Sequence, residues 1–422
     1  MLDLMTWRPG SVVRNLEAAR GRSRLIRRAA VLALLISSAM IGPVSAGDPP
    51  LPVASPAEVG MVPERLEAID RIVAEGLRDR KLPGCVVIVG HRGKLVLRKA
   101  YGQRRVKPES EEMTLDTIFD LASLTKPIST ATSIHRLVEQ GKLELDAPVA
   151  RYLPDFAANG KEGITIRHLL LHTSGLIPDN AIGDYLLGPQ KAWEKIMALK
   201  PDDPLDQRFR YSDVNFLVLG KLVERASGRP INEYARDEIF TPLGMKETGY
   251  LPPKELLPRI APTEKKGETW ITGFVHDPRA LALGGVAGHA GLFSTADDLA
   301  IYAQTILNGG EWKGTRILSA ESVARMTAPH DVPGKNSRTL GWDNRSAYSG
   351  NRGDLLSPRA FGHGGFTGTG IWIDPEQQLF VIFLSSRLHP TGDGVVNPLI
   401  GRICTVAAAS RIPSGNGEAG GK

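Results

Sequence analysis

Ser123-Leu124-Thr125-Lys126, led in by Phe119-Asp120-Leu121-Ala122, decides how this chain is read. On a helix, residues three apart share a face, one turn from each other. The Lys126 amine can then reach the Ser123 hydroxyl and take its proton, which activates a nucleophile without a histidine. Ser123 is expected at a helix start, where free N–H groups and a partial positive charge favour an oxyanion. Desolvation and that positive end are expected to leave Lys126 neutral enough to act as a base. A solvated helix capped by serine fits the same residues, and a chain of this length holds about one such match by chance. Two later motifs lift the tetrad above chance: Tyr211-Ser212-Asp213 and, farther along the chain, His363-Gly364-Gly365.

Tyr211 comes after Phe209-Arg210 and precedes an apolar helical run at 216–226, which puts it on a turn at a helix start. A tyrosine beside an ammonium can have a depressed pKa and relay a proton to a leaving group; a buried packing tyrosine is the alternative. Residues 361–370, from Phe361 through His363, Gly364, Gly365 and Phe366 to Gly370, are glycine-dense and lead into a strand. Glycine there admits a substrate close to the backbone. On an edge strand, Phe366 N–H completes an oxyanion hole with Ser123 N–H; a bulged turn is the alternative. The run has neither the lysine nor the register of a phosphate loop.

Farther out, residues 63–80 read as an amphipathic helix with Leu66, Ile69, Val73 and Leu77 on its apolar stripe, ended by Pro83-Gly84. Segments 85–89 and 95–101 read as a hairpin turned at His91-Arg92-Gly93. Helical signals fill 128–139, 166–172, 216–226 and 231–239. Strand signals return at 370–373 and 379–384, around Asp374-Pro375-Glu376, and 395–409 reads as a closing helix. Residues 251–280 carry little regular signal, as long loops beside active sites often do. Strands at both ends with helices between predict an α+β fold: an antiparallel sheet flanked by N- and C-terminal helices, with an all-helical subdomain inserted. The expected boundaries are 52–115 and 285–410 for the α/β sandwich domain, 116–284 for the helical subdomain with its active-site loops, and 411–422 for a flexible tail.

Residues 1–46 read as an export signal. Arg14, Arg20, Arg22, Arg24, Arg27 and Arg28 precede an apolar run from Ala29 to about Ile41, and Val44-Ser45-Ala46 is a small-x-small cleavage site. The run is shorter than the roughly 20 residues of a spanning helix, so no stable membrane span is expected, an uncleaved anchor being the alternative. The expected location is periplasmic or secreted. The formal net charge of +6 is then mostly the signal's: seven Arg or Lys against Asp3 and Glu17 make +5 there and leave +1. That excludes a nucleic-acid footprint. Cys85 and Cys404 lie in apolar segments and read as packed thiols, although export permits a bridge. His168 and His172 have a metal-ligand spacing but no third ligand, so neither metal nor cofactor is expected, and His172-Thr173-Ser174-Gly175 reads as a helix end. His276-Asp277 and His289 fall in loop-like stretches that can edge the site. No G-x-S-x-G elbow occurs.

The three motifs in this order resemble the serine β-lactamase superfamily: class C β-lactamases, the D-alanyl-D-alanine carboxypeptidases similar to them, and their esterase relatives. The likeness runs from about Leu51 to Ala409. It includes Leu137-Val138-Glu139-Gln140-Gly141-Lys142-Leu143, Leu170-Leu171-His172-Thr173-Ser174-Gly175-Leu176 and Gly291-Leu292-Phe293-Ser294-Thr295-Ala296-Asp297-Asp298-Leu299. With Gly284-Gly285-Val286-Ala287-Gly288-His289-Ala290 before it, the last is most similar to low-molecular-mass periplasmic penicillin-binding proteins. The resemblance implies a β-lactamase/transpeptidase-like fold, Ser123 as acylated nucleophile, Lys126 as its base partner and Tyr211 as proton relay. His363 stands where class C enzymes carry the lysine of Lys-Thr-Gly, and a histidine is only partly charged near neutral pH. Asp213 stands where asparagine is usual; it can only accept hydrogen bonds, and can instead hold Lys126. Both departures weigh against efficient β-lactam hydrolysis and leave acyl-enzyme chemistry intact. The expectation is a serine hydrolase acting on a small ester or a D-alanyl peptide, with peptidoglycan as the peptide's source. β-Lactamase ranks behind these, and an inactive wall-peptide binder is the rival of another class.

Overall fold

All eight residues of the strand Gly84–His91 are buried, so it is covered on both faces. Side chains alternate across a strand. Cys85, Val87 and Val89 join one apolar layer with the helices Ala68–Arg78 and Asn397–Ala409, while Val86 and Ile88 join another with the helix Ala296–Leu307. This sheet with helices on each face is seen in the computed structural model, which describes residues 47–412. The expected export signal and residues 413–422 of the expected tail lie outside the described residues.

Among the described residues the sheet has nine strands, all antiparallel to their neighbours. Its order is His330–Val332, Asn336–Arg338, Asp343–Arg345, Phe361–Gly365, Thr369–Asp374, Leu379–Ser385, Gly84–His91, Lys94–Arg105, Glu111–Glu112. Both ends of the chain meet in it: Cys85 stands opposite Ser385 and His91 opposite Leu379. The first hairpin turns at Arg92 and Gly93, with φ 49° and 79°, the left-handed pair that a two-residue turn between twisted strands requires. Between the two strand groups a second apolar cluster gathers helices, among them Ile166–Leu171 and Asp213–Ser227, the latter buried along most of its length from Val214 to Val223.

Several elements differ from expectation. The helix read at 63–80 is two, Pro63–Leu66 and Ala68–Arg78, with a break at Glu67; Leu66 and Ile69 both lie in the core, as the stripe predicts. The helix read at 231–239 is Ile231–Ala235 continued by a wider π-type coil, Arg236–Phe240. Residues 251–280 are more regular than their sequence suggests, with a 3₁₀ segment Lys254–Arg259, a small hairpin of Lys265–Lys266 and Thr269–Trp270, and the start of the helix Pro278–Ala282. Arg411, the expected start of a loose tail, bridges to Met61, and Ile412 N–H donates to the Gly60 carbonyl at 2.8 Å. Cys85 and Cys404 are free thiols buried in the same layer. Among the described residues no helix is long and apolar enough to cross a membrane.

Candidate active site

The short strand Phe119–Asp120 pairs with Leu292–Ser294, and Leu121 N–H donates to the Leu292 carbonyl at 2.9 Å. Ala122, at φ 46°, then turns the chain sharply. Ser123 lies next in a 3₁₀ turn, Ala122–Leu124, which runs into a π-type coil Lys126–Ala131 and then the helix Thr132–Glu139. The helix read at 128–139 thus starts earlier and wider; Pro127 has no N–H with which to close a regular first turn.

Lys126 is completely buried. Its Nζ lies 3.0 Å from Ser123 Oγ, 3.1 Å from the His289 carbonyl and 2.7 Å from Asp213 Oδ1. The first two are hydrogen bonds of the ammonium, and the Asp213 carboxylate is its counter-ion. The His289 carbonyl reaches this point because Gly288 presses on the helix Asp213–Ser227: a Cβ there would lie 2.0 Å from the Phe216 carbonyl oxygen. Burial works against the charge on Lys126, but the Asp213 carboxylate and Tyr211 outweigh it and hold the ammonium above the ordinary lysine range. The expectation of a neutral Lys126 is therefore corrected, because its desolvation comes with a counter-ion.

Tyr211 is corrected in the same way. Burial raises its phenol; Lys126 opposes this only in part, and Asp213 adds to it, so the resting group is the neutral phenol rather than a phenolate. Its ring is sandwiched at 4.7 Å from His172 and 4.8 Å from Tyr348, and Lys126 Nζ stands 5.0 Å from the ring centre. His172 ends its helix in a left-handed conformation, with Nδ1 accepting Ser212 N–H at 3.1 Å. His168 turns instead to Thr165 and, at 3.0 Å, Asp206, so the two histidines do not converge. Asp213, Asp277 and His289 do offer atoms within 4.8 Å of one another, but Asp213 is paired with the Lys126 ammonium and the His289 ring with Asp277. The His289 ring meets Asp277 at 3.0 Å, and although burial works against it, that contact keeps the Asp277 carboxyl far below its usual range.

The strand Phe361–Gly365 ends beside this cluster. It is not an edge, but it pairs with Asp343–Arg345 only at Gly362, so one side of residues 363–365 is open. A Cβ on Gly364 would lie 2.7 Å from Asn351 Nδ2, and one on Gly365 would lie 2.4 Å from the Leu121 carbonyl oxygen. Gly364 therefore makes room for the Asn351 side chain and Gly365 for the Leu121 backbone, and both glycines line the adjoining pocket. Thr367 and Thr369 hydroxyls donate to the Asp120 and Leu121 carbonyls at 2.7 and 3.1 Å and pin the strand end to the Ser123 turn. His363 is buried, and burial together with the charges of Arg338 and Lys126 drives its ring well below the usual range. It is neutral near pH 7, which corrects the expected partial charge.

A pocket of about 380 Å³ opens here, lined by Ser123, Tyr211, His363, Phe366 and two residues the motifs do not suggest, Arg338 and Arg387. Arg338 is fully buried, with its guanidinium 3.2 Å from the Asp343 carboxylate and no nitrogen in a well-formed hydrogen bond. Arg387 donates to the Phe366 and Gly394 carbonyls at 2.7 and 2.6 Å and lies over the Phe366 ring. Neither arginine stands in a short pattern; each meets the site through strand pairing or loop contacts that no local spacing records.

The Beta-lactamase family model matches residues 69–403. A protein of Escherichia coli (strain K12) named D-alanyl-D-alanine carboxypeptidase is 32% identical over 392 residues, covering 83% of this chain and 89% of its own. A Bacillus subtilis (strain 168) protein named N-acetylmuramyl-L-alanine amidase is 33% identical over 370 residues, covering 79% and 82%. In structure, a penicillin-binding protein homologue from Caulobacter crescentus superposes with a TM-score of 0.66 at 22% identity, over 83% of this chain and 99% of that one. The sheet built from both chain ends, the helical insertion and these matches agree, and the chain belongs to the Beta-lactamase family, as a serine hydrolase.

Proposed function

We propose that this protein is an exported, periplasmic or secreted hydrolase that cleaves D-alanyl peptides through an acyl-enzyme on Ser123. The observation that carries the substrate class is the charge around the pocket. Asp213 is occupied by Lys126, and His363 is neutral. Arg338 and Arg387 then stand against one lining carboxylate, Asp343. That excess of positive charge suits a peptide with a free terminal carboxylate. The names of the E. coli and B. subtilis relatives support a wall-derived substrate, with peptidoglycan as its source.

In this reading Ser123 Oγ attacks the carbonyl carbon, and the N–H groups of Ser123 and Phe366 hold the oxyanion. Lys126 is an ammonium at rest, so it takes the Ser123 proton only as it yields one of its own to the Tyr211 hydroxyl, while Asp213 at 2.7 Å keeps its counter-charge. The proton returns through Lys126 and Tyr211 to the leaving amine, the C–N bond breaks, and water later cleaves the acyl-Ser123 ester. Release of D-alanine from a peptide ending in D-Ala-D-Ala, compared with the same peptide as its C-terminal amide, tests the assignment. We expect a preference of at least about tenfold for the free carboxylate, the size of one charge-assisted contact. An equal or inverted preference overturns it. The second reading, a small ester, is favoured by Phe366 and Val395, 59% and 58% exposed at the pocket mouth.

A further inference from the structure

Asp120 belongs to none of the three motifs, yet it joins the segments that meet at the pocket. It is 3% exposed and, among the described residues, forms no ion pair. Its Oδ1 accepts the N–H of Ala122 at 2.8 Å, and its Oδ2 accepts the N–H of His276 at 2.7 Å. Its main-chain carbonyl accepts the Thr367 hydroxyl. Ala122 is the residue whose φ of 46° aims the chain into Ser123, a conformation rare for a side chain with a Cβ. His276 in turn lies on the Phe366 ring, 5.7 Å between centres. Burying a carboxylate on two backbone amides is a costly way to tether a loop unless both tethers must be held together. Its own burial pushes the carboxyl up to about 6 against those two N–H donors; the titratable groups facing it are His276 and Asp277.

We propose that Asp120 is a positioning residue for the Ser123 reaction. Its carboxylate locks the left-handed Ala122 turn and the His276 loop into one arrangement, and so fixes Ser123 relative to the Phe366 amide. A displacement of about 1 Å at such a site costs on the order of 100-fold in rate. The inference rests on Ser123 being the nucleophile and is independent of the substrate class.

The test compares Asp120→Asn with Asp298→Asn, using an activated acetate ester as the probe. Asp298 is a matched control: a buried carboxyl also raised to about 6 by burial, accepting the Glu247 N–H and the Thr248 hydroxyl away from the Ser123 turn. We expect Asp120→Asn to lower kcat about 100-fold with KM changed less than about threefold, and to lose an acid limb centred near pH 6. Asp298→Asn should lower Tm while leaving kcat and the pH profile of the folded protein as they were. If Asp120→Asn likewise lowers only Tm, the proposal is wrong. If Asp120→Asn does not fold, the parent decides: a limb near pH 6 that persists in His363→Gln supports the proposal, and its absence overturns it. Ser123→Ala in the same assay separates the premises, since retained activity there removes the Ser123 reading itself.

Discussion

The inner and outer halves of the pocket handle charge in opposite ways. In the inner half Lys126 is buried with its counter-ion and donates to Ser123 Oγ and the His289 carbonyl. In the outer half Arg338 and Arg387 exceed the single carboxylate of Asp343. An internally neutral cluster is suited to moving protons without drawing in ions. An unbalanced half is suited to drawing in an anion. The difference teaches that a lost strand lysine need not mean a lost cation: the charge that His363 does not carry is carried by residues on neighbouring elements.

The sharpest way to break the comparison is to empty the inner half. Lys126→Met should reduce turnover by about 10⁴-fold or more, as when one member of a catalytic unit is removed, and initial rates would show it. Tyr211→Phe removes only the relay oxygen and should cost about 10²–10³-fold in kcat, with acylation slowed more than binding in single-turnover traces. The outer half responds more mildly. Arg387→Gln should raise KM about tenfold for a carboxylate-ended peptide and leave an acetate ester unchanged; an equal loss on both would make Arg387 structural. Smallest is a stability effect outside both halves. Asp298 is raised to about 6 by burial, so its favourable contribution is complete below about pH 4 and is lost as pH rises through 6. Thermal melts should therefore show the penalty of Asp298→Asn greatest near pH 4 and smaller at pH 7, by up to about 3 kcal/mol.

How much of the molecule is legible in the sequence depends on where the determinants lie. Ser123 and Lys126 sit one helical turn apart, so local periodicity brings them together, and the apolar strands at both chain ends give the sheet. The charge states are not legible, because Lys126, Tyr211 and His363 depend on what burial delivers beside them. The sequence implies a desolvated Lys126 and offers Asp213 to hold it, and both are found; what it does not reveal is that the carboxylate outweighs the burial. Gly288 and Gly365 each mark a backbone approach between segments far apart in the chain, which no local spacing records. Arg338, Arg387 and Asp120 have no local pattern at all, since their partners are set by strand order and by loops such as the one carrying His276.

The most direct test of the central claim is the intact mass of the protein after brief exposure to a penicillin or an activated D-alanyl thioester, quenched in acid, beside Ser123→Ala. The account predicts a single acyl adduct on the parent and none on the variant. Equal labelling of both proteins, or substrate turnover undiminished in Ser123→Ala, would contradict it.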